Sequence, residues 1–182
     1  MHKAGFIAIV GKPNAGKSTL LNTLLGQDLS IVTHKAQTTR HRIRGVVSQP
    51  DYQLVFSDTP GIITPGYQLH QCDKKLVVAL NKIDLSNQEE LEKIVQKIEQ
   101  QLNPDAIVPI SAKEKFGGDV LIKTLLQFIP EAPPYFDKDT LTDRNERFFA
   151  AEIIREKIFL QYDKEIPYSV EVSIEEFKDT PK

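Results

Sequence analysis

The sequence predicts an α/β fold with a mostly parallel sheet flanked by helices, followed by the beginning of a smaller α+β unit. Three observations carry this. Short apolar runs of the kind found in strands buried on both faces recur at 6–10, 52–57, 76–80 and 106–110. Segments with apolar residues at helical spacing alternate with them, the pattern of strands joined by helical crossovers. A proline-rich stretch, Pro130-Glu131-Ala132-Pro133-Pro134-Tyr135, then interrupts both patterns.

The elements follow in order. Phe6-Ile7-Ala8-Ile9-Val10 is a continuous apolar run and reads as a strand buried on both faces. A glycine-containing loop leads into a helix over 18–25, with Gly26 as its C-terminal cap. Strands at 52–57 and 76–80 come next. Leu91, Ile94, Val95, Ile98 and Leu102 then fall on one helical face, with Glu89 and Lys93 as an i, i+4 pair on the outer side. A strand at 106–110 and a helix at 120–129 complete a first domain over 1–130. Residues 131–142 form a linker. From 143 to 182, Asp143 caps a helix reaching about Tyr162, with Phe148, Ala151, Ile154, Ile158 and Phe159 as its apolar positions, and Pro167 stops that segment. Val170, Val172 and Ile174 alternate with Glu171, Ser173 and Glu175 as a half-buried strand. One helix and one strand are too little for an independent core, so the second unit reads as cut short.

Composition bounds the rest. The 182 residues are 40% hydrophobic and 26% charged, which fits a soluble globular protein and excludes a disordered one. A net charge of -2 singles out neither nucleic acid nor membrane. Residues 1–50, however, set Lys3, Lys12, Lys17, Lys35, Arg40, Arg42 and Arg44 against Asp28 alone, which suits an anionic ligand as well as a solvated basic face. The lone cysteine, Cys72, cannot form an internal disulfide and indicates a reducing compartment. No secretory h-region or membrane-length apolar run is present, so the expectation is a cytoplasmic protein without support for membrane association.

Gly11-Lys12-Pro13-Asn14-Ala15-Gly16-Lys17-Ser18 matches the phosphate-loop pattern G-x-x-x-x-G-K-[ST] between a predicted strand and a predicted helix. Gly16 lets backbone N–H groups turn inward around phosphates, and the helix N-terminus adds positive potential. Lys17 reaches the β- and γ-phosphates, Ser18 is placed to ligate magnesium, and Thr19 joins the nucleotide-binding set. Asp58-Thr59-Pro60-Gly61 ends a predicted strand, where ligands bind in open parallel sheets. Asp58 there holds magnesium through a water, and the Gly61 N–H senses the γ-phosphate. Asn81-Lys82-Ile83-Asp84 follows another strand. The Asp84 carboxylate can accept the guanine N1–H and 2-amino hydrogens, which adenine cannot offer. Asn81 braces the loop, and the Lys82 stem covers the ring. Ser111-Ala112-Lys113 closes the pocket through its backbone and the Lys113 stem. Beside the phosphate loop, which its strand-to-helix context makes specific, each of the other three motifs alone reads as an ordinary loop; together, in this order at strand ends, they select guanine.

The ordered set G-K-P-N-A-G-K-S, D-T-P-G, N-K-I-D and S-A-K resembles the translation-factor-related class of GTPases. Two further stretches narrow the resemblance to the Era family of ribosome-assembly GTPases. One is Lys35-Ala36-Gln37-Thr38-Thr39-Arg40-His41-Arg42. The other runs from Leu141-Thr142-Asp143-Arg144 through Glu152-Ile153-Ile154-Arg155-Glu156-Lys157 to Pro167-Tyr168-Ser169-Val170, which resembles the start of that family's KH domain. The resemblance implies GTP hydrolysis to GDP and phosphate, with Lys17, Thr39 and Gly61 as catalytic residues. Ser18, Thr39 and Asp58 would serve magnesium, and ribosomal RNA and the small ribosomal subunit would be partners. Thr38 is the neighbour that could be confused with Thr39, and two plain loop threonines is the alternative. Ile62 stands where many GTPases place a water-orienting Gln, so slow intrinsic turnover is expected. Asn14 resembles the residue that helps hold potassium in related GTPases, against the alternative that it stabilises the loop. Two rivals stand beside this reading. One is an RNA-binding assembly protein whose pocket binds GTP but scarcely hydrolyses it. The other is a small-molecule kinase, which the guanine pocket disfavours.

The sequence departs from the family in two places. The G-x-x-G loop with which KH domains clamp RNA is absent. Between Gly61 and Asn81 the family has a helix, a strand and a helix, yet 62–75 are too few and too polar to supply them. The expectation is a loss of residues between Gly61 and Lys75, nearest Gln71–Cys72, together with a central strand.

Overall fold

The computed structural model describes residues 1–27, 29, 43–58, 74–162 and 170–177. Strand β1 (Lys3–Ile9) leads into helix α1 (Lys17–Leu25). Strands β2 (Ile43–Ser48) and β3 (Tyr52–Asp58) form a hairpin closed by the Gln49 N–H to the Tyr52 carbonyl at 2.8 Å. Then come β4 (Val77–Leu80), a short 3-10 turn at Ile83–Leu85, α2 (Gln88–Leu102), β5 (Ala106–Pro109), α3 (Gly118–Phe128) and α4 (Glu146–Gln161). β2 escaped the sequence analysis because Arg44 and Gly45 interrupt its apolar run.

The strands form two sheets among the described residues. β1 pairs parallel with β3, β2 pairs antiparallel with β3 on its far side, and β4 pairs parallel with β5 alone. The expected loss of a central strand therefore has a structural counterpart: no strand joins β1 to β4 among these residues. Whether residues are lost between Gly61 and Lys75 falls mostly on 59–73, outside the described residues. One core still serves both sheets. Leu20 and Leu21 of α1 and Leu121 and Leu125 of α3 pack against Leu54 and Phe56 of β3 and Val108 and Ile110 at β5.

Four expectations are corrected. β1 is not buried evenly on both faces: Ile7 and Ile9 join the core, while on the other face Ala4 is buried but Phe6, its ring 4.7 Å from that of Tyr135, stays 55% and Val10 40% exposed. α4 is capped by Asn145, whose side chain accepts the Phe148 N–H at 3.0 Å. Asp143 is diverted to the edge of β2, where its carboxylate accepts the Arg44 N–H at 3.1 Å. Finally, 170–174 keep the alternation of half-buried and exposed side chains but form no strand. In α4, Phe159 is buried and Phe148, Ala151 and Ile158 are half-buried, but Ile154 is exposed. Glu152 and Arg155 are buried instead, paired at 2.8 Å.

The segment after α3 is bound to the first domain along its length. The Ala132 N–H donates to the His2 carbonyl at 3.1 Å and the Val46 N–H to the Leu141 carbonyl at 2.9 Å. Between these points the amide of Gln53, 1% exposed on β3, accepts from the Tyr135 and Phe136 N–H groups and donates to the Phe136 carbonyl and Ser48.

Candidate nucleotide-binding site

The predicted motifs converge at the C-terminal ends of β1, β3, β4 and β5. Gly16 precedes α1 at φ 87°, a left-handed conformation that glycine adopts without strain, and a Cβ there would run into the Asn81 amide. Asn14 shares that region at φ 60°. No side chain caps α1, so its first N–H groups are turned toward the loop that precedes it. The Ala15 N–H closes the loop onto the Lys12 carbonyl at 3.3 Å. Lys17 folds over it, its ammonium donating to the carbonyls of Gly11 at 3.2 Å and Lys12 at 3.0 Å. Burial lowers the Lys17 pKa and the Asp58 charge partly opposes this.

Asp58, fully buried at the end of β3, accepts the Ser18 hydroxyl at 2.8 Å. A buried carboxylate facing a hydroxyl at the mouth of a phosphate loop is an all-oxygen donor set. It fits a magnesium ion that takes its remaining ligands from water and phosphate. Among the described residues no group of three or more His, Cys, Asp or Glu is placed to hold a metal ion.

On the other side, the Asn81 amide donates to the Ala15 carbonyl at 2.9 Å and its oxygen accepts the Ala112 N–H at 3.0 Å. Asn81 thus ties both loops to the phosphate loop. Lys82, at φ 66°, sends its ammonium to the Asn14 carbonyl at 2.9 Å. The Ser111 hydroxyl donates to the Asp84 carboxylate at 2.6 Å and fixes its orientation. The Lys113 side chain is 83% exposed and lies 3.9 Å from Glu114, so the stem does not line the site in this conformation. The structure thus gathers Gly11 through Ser18, Asp58, Asn81, Lys82, Asp84, Ser111 and Ala112, with Thr19 in the first turn of α1. Thr39, Thr59, Pro60, Gly61 and Ile62 lie outside the described residues. Sequence reasoning missed Thr23, whose hydroxyl donates to the Ala112 carbonyl at 2.8 Å. Its one signal was a polar residue in an apolar helical run.

Residues 6–113 match the family model described as 50S ribosome-binding GTPase. The chain is 40% identical to GTPase Era of Bordetella avium, over 98% of this chain and 73% of that protein. It is 39% identical to the chloroplastic GTPase ERA1 of Zea mays, over 99% of this chain and 53% of the relative. The chain thus spans about half the length of the chloroplast relatives it matches. A crystal structure of Era with MgGDPNP and a segment of 16S ribosomal RNA superposes with a TM-score of 0.81 at 35% identity, covering 87% of this chain and 68% of that one.

Proposed function

Because the chain belongs to the Era family of GTPases, we propose that it binds GTP with magnesium, hydrolyses it to GDP and phosphate, and acts as a switch on ribosomal RNA during small-subunit assembly. The observation that carries the reading is the guanine-selective end of the site. Asp84 is held by Ser111, and Asn81 locks that end to the phosphate loop. Lys17 and the loop amides stabilise phosphate charge, and Ser18 and Asp58, with Thr39, hold the magnesium, which supplies charge neutralisation at the transferred phosphoryl group when bound. Gly61 senses the γ-phosphate through its N–H. With Ile62 next to it, hydrolysis is slow in the absence of a partner. Asn14, at the rim of the loop, is the residue we assign to a potassium ion. Residues 1–130 form the GTPase domain and 131–142 its connection. Residues 143–182 begin a KH-like unit for RNA, consistent with the structural neighbour bound to 16S ribosomal RNA. Among the described residues no helix is long and apolar enough to cross a membrane, and we place the protein in the cytoplasm.

Titration calorimetry of the chain with GDP, GTP and ATP in the presence of magnesium tests the core of this proposal. Guanine nucleotides are expected to bind at least about a hundredfold more tightly than ATP. Equal affinity for ATP would point to a phosphate-loop kinase instead. Tight GTP binding without phosphate release over hours would favour the second reading, an RNA-binding assembly protein whose pocket scarcely hydrolyses.

A further inference from the structure

The contacts of the nucleotide site close into a ring. The Ala15 carbonyl in the phosphate loop accepts from Asn81, the Asn81 oxygen accepts from the Ala112 N–H, and the Ala112 carbonyl accepts from Thr23. Thr23 then returns along α1 to Gly16, about 10 Å away at helical rise. Three corners of this ring belong to the sequence motifs. Thr23 belongs to none of them. Its bond spans 89 positions of sequence, at 2.8 Å, and reaches a residue that is 4% exposed.

The chemistry of the bond decides what it controls. The Ala112 carbonyl and the Lys113 N–H belong to one peptide plane, and the described chain contains no cis peptide. In a trans plane the two groups point in opposite directions. A donor that fixes the carbonyl toward α1 therefore fixes the Lys113 N–H away from it. The Ala112 N–H is already committed to Asn81. Thr23 and Asn81 together thus hold the base-closing loop from both sides, one through α1 and the other through the phosphate loop.

We propose that Thr23 is a positioning residue for guanine selectivity, holding the Ala112–Lys113 peptide so that the loop presents its backbone donor to the 6-oxygen of the base. This rests on the guanine-nucleotide reading above. Asp84 reads the opposite edge, the N1–H and 2-amino group, so the two devices are separable. Adenine differs from guanine at the 6-position, whereas hypoxanthine keeps the 6-oxygen and lacks only the 2-amino group.

The test uses the full chain and its Thr23→Val and Thr23→Ser variants. Valine keeps the shape and loses the donor; serine keeps the donor. Fluorescent GDP is displaced by GDP, ADP and inosine diphosphate, and its dissociation rate is measured alongside the melting temperature. For Thr23→Val, GDP is expected to dissociate about fivefold to tenfold faster and the GDP-to-ADP preference to narrow by a similar factor. The GDP-to-inosine diphosphate ratio is expected to stay at the wild-type value, and Thr23→Ser is expected to behave as wild type. A uniform loss of affinity for all three nucleotides, or the same loss in Thr23→Ser, would overturn the assignment and leave Thr23 a packing residue. So would a wild-type dissociation rate in Thr23→Val. If valine prevents folding, the serine variant alone decides, since the proposal requires it to retain full selectivity. A wild-type chain that does not prefer GDP to ADP would instead sink the functional reading itself.

Discussion

Asp84 and Lys17 show how far single residues can be read. Asp84 accepts a 2.6 Å bond from Ser111, so the orientation of its carboxylate is set before any base arrives. Asp84→Asn replaces an acceptor by a donor. GTP affinity is expected to fall by a hundredfold or more, on the order of the loss of a charged hydrogen bond with its partner left unpaired, while xanthosine triphosphate binds better than to wild type. An unchanged preference for GTP in competition binding would remove Asp84 from the base pocket. Lys17 carries a pH signature. Desolvation by burial lowers its pKa from 10.5, and Asp58 opposes the shift only in part. For a lysine whose folded pKa is lowered, the charged form is disfavoured in the free protein, a penalty present below that pKa and relieved as pH rises through it. Phosphate binding needs the charged form. Nucleotide affinity is therefore expected to fall as pH rises through the lowered pKa, before an ordinary lysine would titrate, and Lys17→Arg should flatten that fall. A curve flat to the ordinary lysine range in wild type would contradict the role. These residues were legible in the sequence because motif chemistry names them directly. Thr23 was not, since nothing in α1 alone announces a partner 89 positions away.

At the scale of elements, legibility follows how local the cause is. α1, α2 and α3 were readable because periodicity and caps are local: Gly26 at φ 68° ends α1, and the Asn87 side chain accepts the Glu90 N–H to start α2. β2 was not, because its place depends on pairing with β3. The connection at 131–142 was recognisable from its prolines as a boundary, yet its docking was hidden in one residue. Gln53 sits fully buried in an apolar strand, and its amide makes four hydrogen bonds, three of them to Tyr135 and Phe136. From this follows an expectation for the segment. Gln53→Leu fills the same space but leaves the Tyr135 and Phe136 backbone groups without their partner. A destabilisation of about 2 kcal/mol is expected, with faster proteolysis within 131–142. Unchanged protease resistance there would mean that the edge contacts at His2 and Val46 hold the segment unaided. The displacement of the α4 cap from Asp143 to Asn145 has the same non-local origin, since Asp143 is engaged by Arg44 across the chain.

For the whole molecule, the decisive feature is the division of the sheet among the described residues. The Lys3 N–H bonds the Asp51 carbonyl, so alternate β1 residues address β3 and the others, Ala4, Phe6 and Ala8, address the opposite edge. Ala4 meets the Pro130 carbonyl there at 3.3 Å, and beyond it no strand follows among the described residues. The apolar stripe of α2 shares this condition: none of its residues is buried, and Ile94 is 39% exposed. The alignment with the Zea mays protein runs over 224 positions against 182 residues here, so at least 42 positions have no counterpart in this chain. That is enough for a strand with helices on either side. The sequence raised the expectation of a shortfall through the short distance from Gly61 to Asn81, a stretch that lies mostly outside the described residues. It could not show that the remaining strands keep one shared core around α1 and α3. Substitutions can separate the two faces. Leu21→Ala in the shared core, where Leu21 is fully buried, is expected to destabilise the chain by about 2–5 kcal/mol in denaturant unfolding. Ile94→Ala on α2 is expected to cost less, about 1 kcal/mol, because 39% of the Ile94 surface is already in water. A chimera that receives the Bordetella avium segment between its D-x-x-G and N-K-x-D motifs should cover α2, and in it Ile94→Ala should become a core truncation of about 2 kcal/mol or more. If Ile94→Ala is equally mild in the chimera, the α2 stripe is a solvated face and the split sheet is not what leaves it uncovered.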